Sequence, residues 1–369
     1  MWASDFRRRT LVALPLLIVC GSGCAVSLDG PTPKAPTTTA PAPSVEAGCL
    51  LFARGNPQIG LLQGAGISTT LADGSTLWLF SGTAQGTDSL SNGALAQLSS
   101  GASAADCFPT VPIASRSAFA PSPIEPDGVI SPLDVVRVGD KTWAYYQLFA
   151  LDAAAAFGVR SMGFGVAPWN PDGGQFVPSS ELLWSGDSVP FGTSALVDDS
   201  DGGVDADAGV NIYVYGCGSL KTTQPSACYV ARVESETLDD PSTYLFWSGA
   251  DHFSSDVSEA APIFDGVNSV NVRRHASGRI LATYVEPLGS TLEVRSALTP
   301  TGPFSKEYDL ATCQLGENDF CSGAVQHPEL DADDKNVSLS YAATTFASES
   351  SGGRYWPRLI TATLPDELP

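Results

Sequence analysis

Histidine is scarce in this chain, with three among 369 residues. They are dispersed, so no histidine metal cluster and no Ser-His-Asp signature is legible, and no cofactor is expected. No phosphate-cradling glycine motif is present either. Positive charge is short: 19 Lys plus Arg stand against 40 Asp plus Glu, for a formal net charge of −21. A field of that sign repels phosphate backbones and anionic lipid, which excludes nucleic acid as an expected partner. There is no C-x-x-C pair, which argues against a thiolate metal site. No long stretch carries apolar residues at helical spacing, and the longest N-terminal apolar run, Leu11 to Val19, is too short to span a bilayer.

What is present begins with export. Arg7, Arg8 and Arg9 precede that apolar run, which ends in Cys20-Gly-Ser-Gly-Cys24. A basic segment, a short apolar core and small residues before a cleavage point read as a signal peptide over 1–23. Ser22 and Gly23 before Cys24 resemble a bacterial lipobox, although Gly21 stands where Leu is usual. The resemblance implies a lipid on Cys24 and a membrane attachment through that anchor alone. Ala25 lacks the Asp that retains many lipoproteins in the inner membrane, so the outer membrane is the expected address. Residues 24–45 hold Pro31, Pro33, Pro36, Pro41 and Pro43 among Thr and Ala, the composition of a semi-rigid spacer. The globular domain is expected over 46–369, as a monomer.

Gly (36) and Pro (27) are abundant, and short β-branched or alternating runs are separated by Gly, Asp, Asn and Pro. That pattern is all-β. Strand-like segments recur at 75–80, 141–149, 211–215, 279–285 and 336–341, most after a polar turn such as Ala72-Asp73-Gly74 or Ala276-Ser277-Gly278. Further strands follow at 228–233, 292–297 and 359–364. Five repeats of roughly four strands predict a five-bladed β-propeller, with two stacked sandwiches as the alternative. Six cysteines beyond Cys24 suit an oxidising compartment. Local spacing favours Cys217 with Cys228 and Cys313 with Cys321, which leaves Cys49 with Cys107.

Particular segments carry a family resemblance. Tyr229-Val-Ala-Arg-Val233, followed by Asp239-Asp-Pro-Ser-Thr-Tyr244 and Trp247-Ser-Gly, resembles a blade of the family known as domain of unknown function 4185. Arg295 to Phe304, with its Gly-Pro-aromatic turn, Gln326-His-Pro-Glu-Leu330 and Leu71 to Phe80 resemble others of its blades. The resemblance spans 58–345 and implies a five-bladed propeller related to glycoside hydrolase family 183, which acts on D-arabinofuranose polymers. Glycoside hydrolysis uses two carboxyl groups, one protonating the leaving oxygen and one activating water or attacking the sugar. In propeller hydrolases the acids sit where the innermost strands begin. This chain has Gly64 and Gly82 about where the family's acids are expected, and glycine can do neither task.

Counting back from each repeat's central strand gives the remaining candidates. Glu125 and Asp127, before the second repeat, are the candidate acids, with turn residues as the plainer alternative. Ser68, Ser194, Ser269, Asn271, Gln326 and His327 are expected to line the funnel and bind ligand. Glu329 reads as a turn cap or an Arg partner. The run Asp198-Asp-Ser-Asp-Gly-Gly-Val-Asp-Ala-Asp207 suggests calcium but lacks the closing bidentate Glu, so a solvated hairpin tip is preferred and no metal is expected. Trp143, Trp169, Trp184, Trp247 and Trp356 suit either sugar stacking or packing between sheets. The expected partner is an extracellular glycan, which the protein either processes or, its usual acids lost, only binds.

Overall fold

The computed structural model describes residues 49–50, 61–62, 66–81, 84–85, 88–89, 93–98, 114–155, 158–198, 209–220, 225–267, 269–287, 289–315, 319–345, 355–366 and 368. Among them regular structure is β apart from single 3₁₀ turns such as Pro328–Leu330. The strands form a propeller arrangement of antiparallel sheets that follow one another along the chain. The first sheet runs Gly66–Thr70, Thr76–Phe80, Ala94–Leu98, Ala114–Ser117. The second is led by Val129–Val138, Lys141–Leu151 and Val159–Asn170, and the third by Ser194–Asp198, Asn211–Gly218 and Ala227–Glu234. The fourth runs Asn271–Arg274, Ile280–Val285, Thr291–Ala297, Tyr308–Thr312. The fifth runs Asp319–Gln326, Asn336–Thr345, Tyr355–Thr363. Its outer edge is completed from the other end of the chain: Cys49 pairs with Leu359 and Leu50 with Arg358.

Every repeat segment noted in the sequence proves to be the second strand of one of these sheets. The reason they were conspicuous is their burial: Thr76–Phe80 is buried at all five positions, because a neighbouring sheet covers each face. The first strands face inward and touch in a closed cycle, first to second to third to fourth to fifth and back to first.

Apolar side chains fill the gaps between successive sheets. Leu77, Leu79 and Ile130 join the first to the second, and Val136, Val214 and Phe246 join the second to the third. Leu196, Tyr215 and Val272 join the third to the fourth, and Leu281, Leu292 and Leu339 the fourth to the fifth. The junction of fifth with first is built differently. There Trp78 packs on His327, with ring centroids 4.5 Å apart, and buried hydroxyls replace aliphatic carbon. Among the described residues, two disulfides staple the sheets. Cys217–Cys228 links paired positions on adjacent strands of the third sheet, and Cys313–Cys321 ties the fourth sheet to the fifth. Cys49 with Cys107, the Cys24 lipidation site, the spacer, Gly64 and Gly82 lie outside the described residues or side chains.

Candidate functional site: a polar centre and its cavity

Two buried polar clusters occupy the middle of the propeller. The first sits at the junction of fifth and first sheets. Gly66 opens the inner strand there, and a side chain at this position would fall 2.8 Å from the Trp78 ring. Glycine therefore lets Trp78 lie across the strand and reach His327. Ser68 follows two residues later on the same strand, facing the centre. Its Oγ lies 2.5 Å from His327 Nδ1 and donates a hydrogen bond to Glu329 Oε1. On the far side of the imidazole, Nε2 is 2.8 Å from Ser340 Oγ, and that hydroxyl donates to the Gly66 carbonyl at 3.2 Å. Ser68, His327 and Ser340 are all buried.

Proton bookkeeping fixes what this chain of bonds must hold. Ser340 has one hydrogen and gives it to Gly66, so His327 Nε2 must be the donor to Ser340. Two bonds remain, His327 to Ser68 and Ser68 to Glu329, and Ser68 supplies one proton for them. The second comes from Nδ1 or from the carboxyl. Burial alone would push the Glu329 carboxyl up, but the His327 hydrogen bond and charge, with the Ser68 hydroxyl, outweigh it and hold the carboxyl below its usual range.

The second cluster is an ion pair. Asp134 is fully buried and receives both terminal nitrogens of Arg273, Nη1 to Oδ2 at 2.8 Å and Nη2 to Oδ1. The Val135 and Ala195 amides complete its shell at 2.8 and 2.6 Å. Arg273 Nη1 also reaches Ser194 Oγ and the Ala195 and Val272 carbonyls. Burial works against the Arg273 charge, and Asp134, with Glu329 beyond it, more than offsets that and strengthens its hold on the proton. Three sheets are thereby tied at one point.

Beside these clusters lies a cavity of about 600 Å³. Ser68, Thr69, Thr70, Val135, Arg137, Ala195, Leu196, Arg273, Pro328 and Glu329 form its walls. Most belong to the second half of the inner strands or to the residues just after them, with Ser68 and Leu196 at the midpoint of theirs and Ala195 before it.

Of the sequence candidates, Ser68 and His327 meet in the first cluster and Ser194 joins the second. Asn271 and Gln326 bond each other instead: Asn271 Oδ1 accepts from the Gln326 amide, and Gln326 Nε2 donates to the Asn271 and Leu281 carbonyls, each at 2.9 Å. Both are buried, so they lock the fourth sheet to the fifth. Ser269 is half-buried in the approach to Asn271. Glu125 and Asp127 are placed apart from all of these. They sit in the turn closed by the Gly128 amide on the Glu125 carbonyl, where the second inner strand begins. Six residues of that strand, about 20 Å at ~3.3 Å per residue, separate Val129 from the cavity wall at Val135. In the acidic run, Asp198 pairs with Arg274 at 2.7 Å, and 199–208 lie outside the described residues. No cluster of three or more metal-ligating side chains occurs among the described residues. Trp169, Trp184 and Trp247 pack edge-on against Phe176, Tyr244 and Phe253.

Asp134, Arg273, Ser340 and Arg137 are absent from the sequence candidates. Asp134 had a signal, an acid inside the mostly apolar strand Val-Ile-Ser-Pro-Leu-Asp-Val-Val-Arg-Val.

No protein-family profile matches the chain, and no curated protein matches it. Solved structures do. A structure described as a putative hydrolase from Bacteroides ovatus superposes with a TM-score of 0.53 at 13% identity, over 81% of this chain and 85% of that one. A family 117 glycoside hydrolase from the marine bacterium Zobellia galactanivorans gives 0.52 at 11%, over 89% and 92%. A GH43_1 enzyme from Xanthomonas citri, complexed with xylotriose, gives 0.50 at 16%, over 82% and 87%. The chain shares the propeller fold of these structures. At such identities the likeness speaks for the fold alone.

Proposed function

We propose that this chain is an exported, lipid-anchored, five-bladed propeller that binds extracellular carbohydrate without hydrolysing it at its polar centre. The five successive sheets and their closed cycle of inner strands support the blade count. The resemblance to domain of unknown function 4185 makes a D-arabinan-like furanose polymer the first ligand to try. The observation that carries the binding reading is the commitment of the central acids. Asp134 has both oxygens filled by Arg273 and two amides, which leaves Glu329 as the one carboxylate among the described cavity walls. Two are needed for either retaining or inverting hydrolysis.

A second reading keeps hydrolysis and places it at the other mouth. Glu125 and Asp127 favour it, because they precede an inner strand, where related propellers hold their acids. Incubation with D-arabinan and a panel of furanose and pyranose polymers, read by mass spectrometry alongside calorimetric titration, separates the two. Heat of binding with no released oligosaccharide supports the first reading. Product that disappears in Glu125→Gln/Asp127→Asn supports the second, and neither heat nor product removes both. For the anchor, Cys24→Ala is expected to shift the protein from the membrane fraction to the soluble fraction.

A further inference from the structure

We infer that the cavity at the far ends of the inner strands is a binding pocket for a single uncharged, polyhydroxylated unit, read by Glu329 and the rim around Arg137. The inference rests on the carbohydrate reading and adds to it a face, a ligand charge and a set of contacts. The face follows from the walls. Thr69–Thr70, Val135–Arg137, Val197 and Arg273 lie past the midpoints of their strands, and Pro328 and Glu329 lie just beyond the end of theirs. The mouth is therefore opposite the one to which Glu125 and Asp127 belong.

The charge class follows from how each ionic group is held. Asp134 and Arg273 neutralise one another. Glu329 accepts from Ser68 and lies 3.8 Å from His327 Nδ1. Arg137 is the remaining ionic wall residue, and it is spread over three backbone carbonyls: Gly139 at 2.7 Å, Leu71 at 3.1 Å and Thr70 at 3.4 Å. A charged ligand would meet a like charge in the wall, an anion at the Glu329 carboxylate and a cation at the Arg137 guanidinium, whereas hydroxyls can bond to both.

Contacts for hydroxyls are available. Glu329 uses Oε1 toward Ser68 and His327, and Oε2 takes part in neither contact. Arg137 uses Nε and Nη1 and keeps Nη2 outside those three bonds. Thr69 and Thr70 add half-buried hydroxyls beside them. Val135, Ala195, Leu196 and Pro328 supply an apolar wall for the C–H face of a ring. A volume of about 600 Å³ falls within the usual range for small-molecule sites.

The test is calorimetric titration of the full chain with two uncharged probes, an α-linked arabinofuranose tetrasaccharide and xylotriose, and one charged probe, a glucuronate trisaccharide. The expected result is that at least one uncharged probe binds. Glu329→Gln should weaken it at least ten-fold, the loss of one charge-assisted hydrogen bond. Thr69→Trp, at a half-buried wall position, should abolish it by filling the pocket. Near-UV circular dichroism checks that both variants are folded, and Thr69→Trp decides the matter should Glu329→Gln fail to fold. An uncharged probe that binds both variants like the parent overturns the pocket and leaves the carbohydrate reading standing. Tighter binding of the glucuronate probe overturns the charge assignment. No binding by any probe overturns pocket and carbohydrate reading together.

Discussion

Arg273→Met isolates the most consequential contact in the centre of the molecule. The change keeps an extended side chain and removes the guanidinium, so Asp134 loses both charged donors and retains the Val135 and Ala195 amides. A carboxylate with no exposed surface then has two courses. It can remain ionised without a counter-charge, at about 3–5 kcal/mol for a broken buried pair. Alternatively it can take up a proton, which at pH 7 costs about 1.36 kcal/mol for each unit above an unfolded value near 3.9, or about 4 kcal/mol. The second route caps the first, and it makes the penalty depend on pH. At pH 5 the same arithmetic gives about 1.5 kcal/mol. The sign is fixed by linkage: the variant's folded Asp134 binds its proton more tightly than the unfolded chain does, so the variant loses stability as pH rises. Urea denaturation followed by tryptophan fluorescence at pH 5, 6 and 7 should show the parent-minus-variant difference widening by about 1.4 kcal/mol per unit. The double change Asp134→Leu/Arg273→Met removes the buried charge altogether and should recover much of the loss, with a coupling above about 2 kcal/mol in the cycle. A pH-independent difference, or one below about 1 kcal/mol at pH 7, would refute the account of Asp134 as a charge held by Arg273.

Glu329→Gln should flatten the acid limb of stability. The parent carboxyl is held below its usual range, so its stabilisation is present above about pH 4.3 and is lost as pH falls through the depressed value; thermal melts from pH 6 to 3 that run parallel for parent and variant would contradict this. Cys313→Ser/Cys321→Ser opens a short loop between two sheets and should cost about 2.5 kcal/mol by loop entropy, measured as a fall in the urea midpoint with an unchanged slope. Gly163→Ala should be severe, because Gly163 has φ +150° and an added Cβ would lie 2.2 Å from the Trp184 carbonyl. The pairing of Val159–Asn170 with Trp184–Ser185 has to open to admit it, and a loss above about 2 kcal/mol is expected. A variant as stable as the parent would mean that this edge of the second sheet repacks freely.

Repetition made the second strands legible, since residues buried on both faces leave dense β-branched and aromatic runs such as Thr-Leu-Trp-Leu-Phe at 76–80. The short-loop disulfides were legible for a local reason: 11 and 8 residues of separation leave few other partners in reach. The centre was harder, because three of the inner strands have only four or five residues. Asn271–Arg274 is four residues long, and nothing in Asn-Val-Arg-Arg says that the first arginine turns inward to a carboxylate 139 positions earlier while the second meets Asp198 on the neighbouring sheet. Counting back from the repeats found Ser68, Ser194, Asn271 and Gln326 because they lie on inner strands, and His327 because it directly follows one. It could not say which of them would spend their polar groups on each other. Asn271 and Gln326 do so completely enough to act as a lock between sheets.

Depth along the strand was the other missing coordinate. Alternation assigns a side chain to a face of a sheet, but the period of two is blind to how far down the channel it lies. Glu125 and His327 were both placed at the funnel by the same count, yet the second inner strand is ten residues long and carries its acid, Asp134, at the sixth. The chain thus puts its turn acids at one mouth and its buried acids toward the other. Any activity assigned to this propeller must name a mouth, because Glu125→Gln and Glu329→Gln interrogate opposite faces of the same channel.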